Sequence, residues 1–165
     1  MLGLEIATFH FNSTVTDGKY QLAGHSKMSW AMGLYKYTGN FTGSGSISGD
    51  GVAPSSYVYD WKVNSKHGGV RLGFGADGVE KVAIAPPHEP APDVVPLKDA
   101  HLRGVFDPLS SLLVLSHHLG GNPCDRRIGV FEGKQRFDVV LTPHRTEKLA
   151  EKKPSGQPTA GQVCR

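Results

Sequence analysis

Cys124 and Cys164 are the only two cysteines in the 165 residues and the side chains with the most chemistry to offer. As thiolates they could attack a carbonyl or bind a metal; as a pair they could oxidise to a disulfide. Zinc knuckles place cysteines two to four residues apart, so this wide spacing is wrong for a metal site. A bridge between them closes a loop of roughly 40 residues, which chain entropy values at about 4 kcal/mol. Such a bond persists only in an oxidising compartment, so the pair argues for an exported protein. Two unrelated free thiols are the alternative. The eight histidines show no zincin spacing, and the adjacent His117 and His118 point about 100° apart on a helix. No metal, cofactor or catalytic residue is assigned.

Other chemical signatures are weak. Gly73-Phe74-Gly75-Ala76-Asp77-Gly78 matches the dinucleotide string G-x-G-x-x-G, but Val79 to Ile84 follows as a strand pattern. A pyrophosphate needs a helix N-terminus there, so a hairpin is the better reading. No G-x-S-x-G elbow exists, which leaves a hydrolase as a minor alternative. Asn12-Ser13-Thr14 and Asn40-Phe41-Thr42 fit the glycosylation sequon, which matters only in a eukaryotic secretory pathway. The remaining candidate site is aromatic: Tyr35, Tyr37, Phe41, Tyr57, Tyr59 and Trp61, with Leu112 from the helix below. Aromatics at strand period are usually sheet core. Alternate glycines on the neighbouring strand (Gly39, Gly43, Gly45) leave room for an apolar groove instead.

These residues sit in a rhythm of short strands and glycine turns. Strand patterns run over Leu4 to Val15, Lys19 to Ser29, Tyr37 to Ser48, Ser55 to Asn64, Val70 to Phe74 and Val79 to Ala85. Asp17-Gly18, Asp50-Gly51 and Asp77-Gly78 mark hairpins, and amphipathic helices between the strands are lacking, so an antiparallel meander is expected. Trp30 to Tyr35 reads as a single helical turn or a bulged crossing, and Asn64 to Gly69 as a turn. The prolines from Pro86 to Pro96 predict an extended connector. Asp107 as N-cap and Pro108 at the first position then open the one helix, which carries Leu109, Leu112, Leu113 and Leu115 and ends at Gly120-Gly121. A last hairpin covers Arg127 to Thr142, and a polar loop is expected over 143–162.

Length and composition fit one β domain over 1–165. No apolar run approaches the roughly 18 residues of a membrane helix, so no transmembrane segment is expected. Met1 leads into a strand with no basic and apolar leader before it. The chain is therefore expected to be cut at both ends from a longer precursor with a signal peptide. The net charge of +3 resides in the last segment, where Arg145, Lys148, Lys152, Lys153 and Arg165 outweigh Glu147 and Glu151. A neutral body with a mildly basic tail is no nucleic-acid binder.

From Asp99 onward the chain resembles a family of exported Gram-negative β-proteins of unknown function. The resemblance rests on Asp107-Pro108-Leu109-Ser110, on Cys124-Asp125-Arg126, and on Phe131-Glu132-Gly133 with Arg136-Phe137-Asp138. It implies a periplasmic, disulfide-containing, curved antiparallel sheet or partly open barrel of about eight strands, with a helix packed on its concave side. Proteins of that shape are similar to lipoprotein carriers that hold acyl chains. The expectation is thus a non-enzymatic envelope protein binding a lipid or a partner protein on its concave face. Its alternative is a structural module that pairs through an exposed sheet edge.

Overall fold

The first half of the chain folds as an unbroken antiparallel meander. The computed structural model describes residues 7–49, 51–87, 96–116, 122, 124–148 and 160–165. Six strands, β1 (Ala7–Thr16), β2 (Lys19–Trp30), β3 (Tyr35–Ser48), β4 (Gly51–Val63), β5 (Lys66–Phe74) and β6 (Val79–Ala85), pair in sequence order. Asp17 (φ 51°) and Gly18 (φ 70°) both take left-handed backbone, as a type I′ hairpin requires. The expected single helical turn is present as a 3-10 turn over Ala31–Gly33. Asn64, also left-handed, turns the next hairpin, and its carboxamide accepts from the Lys36 amide and donates to the Leu34 carbonyl. That compact turn lets β5 begin at Lys66 rather than Val70. The G-x-G-x-x-G string is the β5–β6 turn, closed by a 2.8 Å bond from the Gly75 amide to the Gly78 carbonyl.

One face of this sheet is packed. Tyr20 and Leu22 of β2, Val52 and Tyr57 of β4, and Val70 and Leu72 of β5 are buried there. Tyr20 lies opposite Gly45 of β3, and a Cβ on Gly45 would sit 2.5 Å from the Tyr20 hydroxyl. The glycine is what lets the ring lie flat on its neighbour.

The covering layer comes from the second half: β7 (Val105–Phe106), α1 (Pro108–Ser116), β8 (Arg126–Phe131) and β9 (Arg136–Leu141). Leu109 and Val114 of α1 join Val105, Ile128, Val130 and Phe131 in one cluster with the meander residues. Three expectations are corrected here. The strands are not all antiparallel, because β7 pairs parallel with β8. Parallel neighbours need a crossover, and α1 lies between the two in the chain. The described strands are eleven in three sheets rather than about eight in one, while the meander is open, as expected, and not closed into a barrel. The loop expected over 143–162 begins and ends as an antiparallel ribbon of β10 (Pro143–Lys148) and β11 (Ala160–Cys164). The connector prolines Pro90 and Pro92, the histidine pair and Gly120-Gly121 lie outside the described residues.

Candidate functional site

The start of α1 is the most buried polar spot on the packed face. Asp107 is 0% exposed and its Oδ1 accepts from the Leu109 and Ser110 amides, each at 3.0 Å. This is the predicted N-cap, with Pro108 at the first helical position, where its missing N–H costs nothing. Ser110, also fully buried, shares a 2.7 Å bond with the Tyr20 hydroxyl. The second oxygen, Asp107 Oδ2, has no partner among the described residues. Burial therefore lifts the Asp107 carboxyl above its usual range, against the lowering effect of the Ser110 and Leu109 bonds. Burial pushes Tyr20 up to about 12, and it raises Tyr57 further with Asp107 adding to the effect.

The other motif positions assemble this layer. Cys124, fully buried, is joined to Cys164 with the Cα atoms 5.2 Å apart, which pins β11 to the chain just before β8. Asp125 is exposed, and its amide donates to the Asn122 carbonyl. Arg126 donates to the Val114 carbonyl at 3.0 Å, placing a cation at the last turn of α1. Asp138 receives Arg127 on one oxygen (2.7 and 3.0 Å) and Arg136 on the other (3.3 Å). The Arg127 guanidinium, and then that of Arg136, hold its carboxyl below the usual range. Arg136 also donates to the His101 and Arg103 carbonyls, tying β9 to the segment that enters β7. Gly133 takes φ 111° and presses its backbone on Val70. Together these contacts tie the covering layer to itself and to the meander.

The layer covers only part of the packed face. Beyond it the odd-numbered side chains of β1, β3 and β4 form an aromatic shelf. Phe41 and Tyr59 are directly paired across β3 and β4, and their rings stack at 4.6 Å and 3°. Phe9 meets Phe41 edge-on at 6.3 Å, and Phe11 lies parallel to Phe9 at 6.4 Å. Between them runs β2, where Gly24 is in register with Phe11 on one side and Phe41 on the other. A Cβ there would already touch the Phe9 ring at 3.4 Å, so the glycine lets the rings cross β2. The Tyr37 and Tyr59 hydroxyls lie 2.9 Å apart, and burial followed by this bond raises the Tyr59 pKa. At its β4 end the shelf meets a cleft of about 150 Å³ whose lining includes Tyr59, Trp61, Val70, Ile84, Glu132 and Lys134.

The predicted aromatic set thus divides. Tyr37, Phe41, Tyr59 and Trp61 are half-buried on the shelf or its cleft, and the half-buried Tyr35 begins the same face of β3. Tyr57 is core, opposite Gly43 and buried under the start of α1. Leu112 is 46% exposed, on the side of α1 away from its buried residues. Phe9 and Phe11, 55% and 40% exposed, complete the shelf and lie outside the aromatic set expected from the sequence. Their alternation along β1 was the available signal.

No helix among the described residues is long and apolar enough to cross a membrane, and no group of three or more metal-ligating side chains occurs among them. No curated protein and no solved structure matches the chain. A family model does, over residues 1–164. The chain belongs to the family described as protein of unknown function, DUF3108.

Proposed function

We propose that this protein is a non-enzymatic cell-envelope protein of the periplasm whose aromatic shelf holds the acyl chain of a lipid. The observation that carries the reading is the continuous row of rings Phe11, Phe9, Phe41 and Tyr59. It crosses three strand spacings, about 14 Å, with no charged side chain in it. Rings exposed at 55% and 40% are expensive to leave against water, and a linear apolar chain laid along them removes that cost. The cleft beside Trp61 offers the row an end whose lining includes the polar side chains Glu132 and Lys134.

The disulfide supports an oxidising compartment, and the resemblance to exported Gram-negative proteins narrows it to the periplasm. A binding role is favoured over hydrolysis because both cysteines are bonded to each other and the buried Ser110 hydroxyl is engaged by Tyr20.

Native mass spectrometry of delipidated protein mixed with palmitate tests this. One fatty acid per chain is expected, with Phe41→Ala weakening the complex about tenfold through lost apolar contact. Failure to retain any fatty acid, or equal retention by Phe41→Ala, contradicts the proposal.

A further inference from the structure

The two edges of the meander are built differently. β6 carries Glu80 and Lys81 and is followed by Pro86 and Pro87, the usual means of discouraging further strands. β1 carries none of these: Ala-Thr-Phe-His-Phe-Asn-Ser-Thr-Val-Thr contains no charged residue, proline or glycine over ten positions. Nothing pairs with its outer side among the described residues.

The hairpin geometry says which groups point outward. The two-residue type I′ turn at Asp17-Gly18 makes Thr16 and Lys19 a hydrogen-bonded pair. Hydrogen-bonded and open pairs alternate along an antiparallel ladder. The even residues of β1 therefore bond β2, and the amides and carbonyls of Ala7, Phe9, Phe11, Ser13 and Val15 face the open edge. The side chains of those odd residues lie on the packed face; those of Thr8, His10, Asn12 and Thr14 lie on the other.

We infer that β1 pairs antiparallel with β1 of a second copy of this chain, about a two-fold axis through Phe11. On the packed face this register sets Phe11 against Phe11, Ala7 against Val15 and Phe9 against Ser13; on the other face it sets Thr8 against Thr14 and His10 against Asn12. No charge in the strand opposes it, so the strand is self-complementary, as an isologous interface must be. With Phe11 opposite its symmetry mate, every outward amide from Ala7 to Val15 finds a partner. Val15 then faces the Ala7 of the other copy. The meanders join into one sheet, and the row Phe41, Phe9, Phe11 of one copy continues into that of the other. This edge needs no small molecule, so the inference stands or falls apart from lipid binding.

Light scattering on the unmodified chain at about 100 µM is expected to give twice the 17.7 kDa of one copy. Ser13→Pro removes only an outward amide and should return the mass to that of one copy. Phe11→Cys supplies the one unpaired thiol. Its Cα should lie about 5.5 Å from its mate, within disulfide range. It should cross-link to a dimer under mild oxidation, whereas Val15→Cys, far from the axis, should not. A single-copy mass for the unmodified chain overturns the inference, as does a dimer persisting in folded Ser13→Pro. If Ser13→Pro does not fold, absence of the Phe11→Cys cross-link overturns it. So does a chain that stays single alone and pairs β1 only with a different protein.

Discussion

Tyr20 and Ser110, ninety positions apart, share a 2.7 Å hydrogen bond between two buried hydroxyls. It joins the second strand of the meander to the first turn of α1, so it sets where the covering layer sits and where the shelf begins. Either truncation strands the other hydroxyl in the core. Tyr20→Phe and Ser110→Ala should each cost about 1–3 kcal/mol in urea unfolding, and the double variant should cost less than their sum. Strict additivity would mean that the bond couples nothing.

Asp107 gives the fold a pH dependence of definite sign. Burial raises its folded-state pKa above the unfolded value of 3.8. Its contribution is therefore fully present below the unfolded value and is lost as pH rises through the raised one. Asp107→Asn keeps a good N-cap that cannot ionise. From about pH 4 upward the wild type should lose stability relative to this variant, as read from unfolding midpoints across pH. A difference independent of pH contradicts the account, and so does one of opposite slope.

The Cys124–Cys164 bridge spans 40 positions and encloses β8, β9 and the β10–β11 ribbon. Replacing both cysteines with alanine should lower stability by about 4 kcal/mol on the chain-entropy scale. Adding reductant to the wild type should shift its denaturant midpoint in the same direction. A midpoint indifferent to reductant would show that the loop is held by other contacts.

Two glycines of β3 predict opposite outcomes. A Cβ on Gly43 would make ordinary contacts at 3.6 Å with Asp107 and Leu109. One on Gly45 would collide with the Ala53 carbonyl and the Tyr20 hydroxyl. Gly45→Ala should therefore destabilise by about 1–3 kcal/mol while Gly43→Ala stays near neutral in the same unfolding assay. Equal effects would show that the close packing of Tyr20 on β3 is not what the glycine serves.

Much of this architecture is legible in the residues themselves. Period-two alternation with Asp-Gly turns spells the meander, because a half-buried antiparallel strand must alternate and a tight hairpin needs left-handed residues. Asp107-Pro108 marks the helix start for equally local reasons. What escapes is set by distant partners. Val105–Phe106 is two residues long and has no pattern of its own; only its parallel neighbour β8 makes it a strand. Pro143–Lys148 reads as a polar loop because its side chains are exposed, yet it pairs with β11. The shelf was half visible: the rings of β3 and β4 were readable, but joining Phe9 to Phe41 depends on Gly24 of the strand between them. Tyr57 belongs to the same run as Tyr59, and only the placement of α1 sends one to the core and leaves the other on the shelf.

If the row of rings receives an acyl chain, Trp61 at the end of that row can report it. With Trp30→Phe, Trp61 is the sole tryptophan of the chain. Titration with a fatty acid brominated along its chain should quench its fluorescence saturably, because heavy-atom quenching needs contact. The same titration on a Phe41→Ala background should require about ten times more ligand. Fluorescence that is unchanged by the brominated chain, or quenched identically with and without Phe41, would contradict the account.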